Sequence, residues 1–119
     1  MAKVADYAIV ADNWVLEKDK NIVNFEVPAN IDKGSRCILG FMINTNHLDD
    51  MKLVIRLNGT NVWNWSLPGH VDEPARFFQE VVAAGVVVPG TNEFKFTSSS
   101  DDATVVEVSD VVVWFQANI

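Results

Sequence analysis

Few residues in this chain stand at the spacings that bond-making chemistry requires. The two histidines, His47 and His70, are well separated, and no Gly-x-Ser-x-Gly elbow, His-Glu-x-x-His pair or GxxxxGKS/T phosphate loop is present. The 16 acidic residues offer many carboxylate pairs, but the separation that glycoside hydrolysis needs is three-dimensional and no pair stands out. Asp49-Asp50 and Asp101-Asp102 could supply oxygen ligands to calcium, yet neither resembles an EF-hand loop, and solvated turn residues are the simpler reading. The single cysteine, Cys37, lies inside the apolar run CILGFMI and reads as a small buried hydrophobe. The expectation is a surface that binds rather than an enzyme, with no cofactor and no metal ligands assigned.

The tryptophans pose the sharpest question. Two of the four stand on the second arm of a hairpin, MKLVIRL-NG-TNVWNWSL. A two-residue type I′ turn at Asn58-Gly59 pairs Leu57 with Thr60, sets Trp63 opposite Val54 and Trp65 opposite Lys52, and exposes both rings as a binding platform. A three-residue loop instead places both on the face of Leu53 and Ile55, in the core. The sequence leaves these alternatives open.

The elements that must position such residues are strands. Apolar residues alternate at period two, and Asn-Gly or Pro-Gly punctuates the runs, which predicts about eight antiparallel strands and no convincing helix. Tyr7–Val10 or Asn13–Leu16 opens the set. Ile22–Val27 follows, with Val23, Phe25 and Val27 on one side, then 36–44 with Cys37, Leu39, Phe41 and Ile43 on one face. The hairpin of 51–57 and 61–67 comes next, and 76–82, 92–97 and 104–116 complete the series. Residues 73–84 contain good helix formers, but Gly85 and the valines after it favour strand or one short turn. In the last strand Val106 and Val108 are out of phase with Val111, Val113 and Phe115. One extra residue near Ser109-Asp110, a β-bulge, is predicted to bring both sets to the core.

Composition narrows the partners. A chain of 119 residues suits a single domain spanning residues 1–119. Nine basic against 16 acidic residues, a net charge of −7, argue against nucleic acid and anionic lipid. No apolar run is long enough to span a membrane as a helix, since VVAAGVVV is interrupted by Gly85 and stopped by Pro89. The N-terminus lacks a positively charged start and a sustained apolar stretch, so no secretory signal is read and a cytoplasmic location is favoured. Asn58-Gly59-Thr60 and Asn64-Trp65-Ser66 fit the glycosylation pattern and are taken as chance.

The order V-I-R-L-N-G-T-N-V, then a Phe-containing strand ending Gln79-Glu80-Val81-Val82, then Val88-Pro89-Gly90-Thr91-Asn92 before Phe94 and Phe96, and finally Val108-Ser109-Asp110-Val111, resembles the galactose-binding-like jelly rolls. These include carbohydrate-binding modules and the sugar-binding domains of glycoside hydrolases. The resemblance covers roughly residues 36–116 and implies two packed antiparallel sheets, sugar bound in loops at one end or on a concave sheet face, and sometimes a structural calcium. In such sites a ring stacks on a pyranose while amides, carboxylates, Arg or His bond its hydroxyls. The stretch that best matches is Trp63, Asn64, Trp65, His70 and Asp72, followed by Arg76, with Trp114 and Gln116 adding to it if they face outward.

The reading is therefore an all-β, single-domain jelly-roll sandwich that binds a saccharide without catalysis. An assembly subunit, acting through self-association or a protein partner, is the alternative, because an apolar sheet face or a sticky AGVVV segment invites a cover.

Overall fold

The computed structural model describes residues 2–16, 21–46, 50–67, 72–99 and 105–119, with backbone alone at 46, 67, 72–74 and 105. Among these residues every helix or strand element is a strand: β1 (Lys3–Ala11), β2 (Trp14–Val15), β3 (Ile22–Val27), β4 (Cys37–Asn46), β5 (Met51–Leu57), β6 (Thr60–Leu67), β7 (Asp72–Val82), β8 (Gly90–Ser98) and β9 (Val105–Asn118). The stretch 73–84 that carries helix formers is strand through Val82, because its alternation lets Val82 and Phe78 face β4 residues of the core.

Two antiparallel sheets face one another. The first has the order β1-β9-β4-β7, with β2 also on β9, and the second the order β3-β8-β5-β6. Leu39, Phe41 and Ile43 of β4 and Val111, Val113 and Phe115 of β9 point inward from the first sheet. Leu53, Ile55 and Leu57 of β5 and Phe94 and Phe96 of β8 meet them from the second. The period-two patterns of Phe25 and Val27, of Cys37 through Ile43, and of Leu53 through Leu57 thus mark the inner faces. Cys37 is buried, and burial pushes its thiol pKa up.

The expected irregularity in β9 is present. Pairing with β4 steps from Gly40↔Val112 to Met42↔Ser109, so β9 holds one extra residue there. Asp110 adopts φ 51°, and its amide donates to the Asp12 carboxylate at 3.1 Å. Val106 and Val108 on one side of the bulge and Val111 and Val113 on the other are consequently all buried.

An amide network between exposed Asn58 and buried Asn92 ties together the loops at one end of the sandwich. The Asn58 side chain donates to the Val86 carbonyl (2.7 Å) and the Asn92 side-chain oxygen (2.8 Å), and its own oxygen accepts from the Glu93 amide (2.8 Å). Asn92, fully buried, accepts from the Val88 amide and donates to the carbonyls of Val88 and Gly90. The β5–β6 turn and the 83–89 connection are locked together through two side chains.

Candidate functional site

The hairpin resolves the tryptophan question in a way that combines the two expected alternatives. Asn58 and Gly59 have φ of 50° and 81°, both in the left-handed region, and Leu57 pairs with Thr60, as a two-residue type I′ turn requires. The register then shifts: Arg56 pairs with Asn61 but Ile55 with Trp63, leaving Val62 as an extra residue. That bulge rotates Trp63 and Trp65 onto the face of Leu53 and Ile55. Asn61 and Asn64 bracket it with a reciprocal pair of side-chain hydrogen bonds, 3.0 and 2.9 Å.

The candidate ligand residues consequently separate. Trp63 is buried, its ring centroid 4.8 Å from that of Phe41 and 5.3 Å from that of Phe78, so of the two positions left open for it the core one is occupied. Trp65 is half-buried against Phe78 at 4.9 Å. Asn64 is exposed and opposite Val54, on the outer side of the second sheet. Arg76 is exposed on β7, across from Ile43. Asp72 begins β7, its side chain not among those described, and His70 lies outside the described residues, as do His47, Asp49 and the Asp101-Asp102 pair. Among the described residues no three of His, Cys, Asp and Glu gather as a metal-binding group.

A different surface gathers recognition chemistry, the outer face of the β1-β9-β4-β7 sheet. Pairing aligns Tyr7, Trp114, Ile38 and Val81 in one row across four strands, and Ile9, Val112, Gly40 and Gln79 in the next. Met42 and Phe77 pair in the row after. Tyr7 is 59% exposed and Phe77 47%, and Trp114 is half-buried. The cause of the last is Gly40. A methyl built there would come within 2.8 Å of the tip of the Phe77 ring and closer still to the benzo edge of Trp114. Both rings therefore occupy the space that a side chain at position 40 would fill, and Trp114 lies down on the sheet instead of standing off it.

Polar groups lie within and beside this surface. Gln79 is exposed next to Gly40, and Gln116 is exposed two residues beyond Trp114. The Ser35 hydroxyl donates to Asp32 at 2.6 Å and lies 3.2 Å from the side-chain oxygen of Gln116. Asp32 also pairs with Lys3 at 2.5 Å, and the Lys3 ammonium, the Ser35 hydroxyl and the Gly34 amide together hold its carboxyl well below the usual range, at about 2. Trp114 and Gln116, which the sequence added to the site only on condition that they face outward, both lie on the outer face. Tyr7, Gly40, Phe77 and Gln79 escaped the sequence reading, although the β4 alternation that places Leu39 and Phe41 inward also places Gly40 outward.

Compared by sequence, the chain matches no family model and no curated protein. Compared by structure, it superposes on a segment of dimeric latent PorU from Porphyromonas gingivalis with a TM-score of 0.75 and 9% identity, over 98% of this chain but 13% of that one. A family 35 carbohydrate-binding module from an environmental isolate gives a TM-score of 0.52 at 10% identity, covering 94% of this chain and 90% of that one. The EclA C-terminal domain, described as a sugar-binding protein, gives 0.51 at 9% identity over 95% and 79%. Identities this low establish shared architecture. The fold is the jelly-roll β-sandwich that carbohydrate-binding modules also use.

Proposed function

We propose that residues 1–119 act as one non-catalytic carbohydrate-binding module whose ligand surface is the outer face of the β1-β9-β4-β7 sheet. The observation that carries this reading is the convergence of Trp114 and Phe77 over Gly40, with Tyr7 alongside Trp114 and the Gln79 and Gln116 amides exposed nearby. Flat rings offer apolar faces to pyranose C–H groups, and amides both donate to and accept from sugar hydroxyls. Such a division of labour suits a neutral ligand taken from water. The fold shared with a family 35 carbohydrate-binding module supports the reading.

Affinity electrophoresis in gels containing neutral polysaccharides, run with and without calcium, tests it. The wild-type protein is retarded by at least one of them, Trp114→Ala and Tyr7→Ala migrate freely, and Asn64→Ala, altered on the other sheet, is retarded like wild type. Equal retardation of wild type and Trp114→Ala would contradict the assignment of the surface.

A second reading draws on the aliphatic residues of the same face. Ile9, Ile38 and Val81 are exposed there, and such side chains are as well suited to burial against a protein as to a sugar. Light scattering separates the two: an oligomer that Trp114→Ala dissociates, with no retardation by any polysaccharide, favours assembly.

A further inference from the structure

Resting on the saccharide reading, we infer that the ligand is the interior of an extended, neutral polysaccharide chain laid obliquely across the strands, rather than a chain end or an acidic glycan. Two independent observations lead there.

The first is the distribution of charge. On the outer face of the β3-β8-β5-β6 sheet, Glu26, Lys52, Arg56, Glu93 and Lys95 alternate with the core residues of their strands. On the outer face of the other sheet, the rows from Tyr7 to Val81 and from Ile9 to Gln79, with Met42 and Phe77 beyond, carry no charged residue at all. A uronate or sulfated glycan would find no cation on those rows, in a chain whose net charge of −7 already repels it. A neutral chain loses nothing there.

The second is the arrangement of the rings. Tyr7 stands on β1, Trp114 on β9 and Phe77 on β7, with Phe77 displaced along the strands by the rows that separate Val81 from it. From β1 to β7 are three strand spacings, about 14 Å, before that displacement is added. A terminal sugar needs one ring and a pocket wall. Two rings in one row, Tyr7 and Trp114, and a third two rows along whose tip meets Trp114 over Gly40 make a platform longer than one pyranose and oblique to the strands, which suits consecutive pyranoses of an extended chain, each stacking step adding affinity.

Isothermal titration calorimetry of the whole protein tests this, using cello-, manno- and xylo-oligosaccharides of two to six units and hexagalacturonate. At least one neutral series gains about tenfold or more in affinity from disaccharide to hexasaccharide, equivalent to about 1.4 kcal/mol, while hexagalacturonate gives no heat of binding. Tyr7→Ala and Phe77→Ala each shorten the length at which affinity levels off. A disaccharide bound as tightly as its hexasaccharide, or binding of hexagalacturonate, with Trp114→Ala still abolishing the signal, would overturn the inference and leave the saccharide reading intact. No binding of any oligosaccharide to the wild-type protein would overturn both.

Discussion

The Trp114 ring rests over Gly40, in the space that any larger residue at position 40 would claim. Gly40 has no left-handed backbone to demand glycine; what demands it is the ring above. Gly40→Ala therefore lifts the tips of Trp114 and Phe77, both on the outer face, without breaking the ladder beneath. The variant is expected to unfold within a few degrees of wild type by circular dichroism and to bind saccharide at least tenfold more weakly. Wild-type affinity in a folded Gly40→Ala protein would show that the position of the ring is immaterial.

Trp63 and Trp114 give opposite results when truncated. Trp63 packs edge-on against Phe41, Phe78 and Phe96, so Trp63→Ala leaves a cavity and costs about 3–5 kcal/mol. Trp114→Ala removes a half-buried ring from an outer face and costs well under half as much, about 1 kcal/mol. Urea unfolding of the two variants distinguishes them, and comparable losses would contradict the placement of Trp63 in the core.

Asn92 is a buried polar residue all of whose side-chain atoms are engaged. Asn92→Ala strands the Val88 amide and carbonyl and removes the acceptor of the Asn58 amide. A loss of about 1–3 kcal/mol is expected, because unpaired buried groups carry their full desolvation cost. The denaturation midpoint should fall with an unchanged slope.

Asp32 supplies a pH dependence with a defined sign. Its carboxyl is held at about 2 by the Lys3 ammonium first, then the Ser35 hydroxyl and the Gly34 amide, against an ordinary value of 3.8. A folded-state pKa below the unfolded one contributes stability that is present above 3.8 and lost as pH falls toward 2. The stability difference between wild type and Asp32→Asn is expected to be constant above this window and to shrink within it. A difference that grows on acidification would contradict the pairing.

Much of this fold is legible in the sequence because burial and alternation coincide. The sides of Phe25–Val27, Cys37–Ile43 and Leu53–Leu57, and the bulge at Ser109-Asp110, follow from period two alone. The site was legible only in part. Val62 is an unremarkable strand residue, and nothing local announces that it is the extra one that turns Trp63 inward. The alignment of Tyr7, Trp114, Ile38 and Val81 depends on pairing among β1, β9, β4 and β7, strands far apart in the chain. Gly40 reads as a weak point in a strand until the rings above it are seen.

The placement of the ligand surface is tested most directly by the indole N–H resonances of the four tryptophans, assigned by single Trp→Phe variants and followed by NMR as cello-, manno- and xylohexaose are added in turn. The Trp114 resonance is expected to shift and saturate with one of these sugars, while those of Trp14, Trp63 and Trp65 hold their positions. Shifts centred on Trp65 with Trp114 unmoved would contradict that placement and return the site to the end of the sandwich.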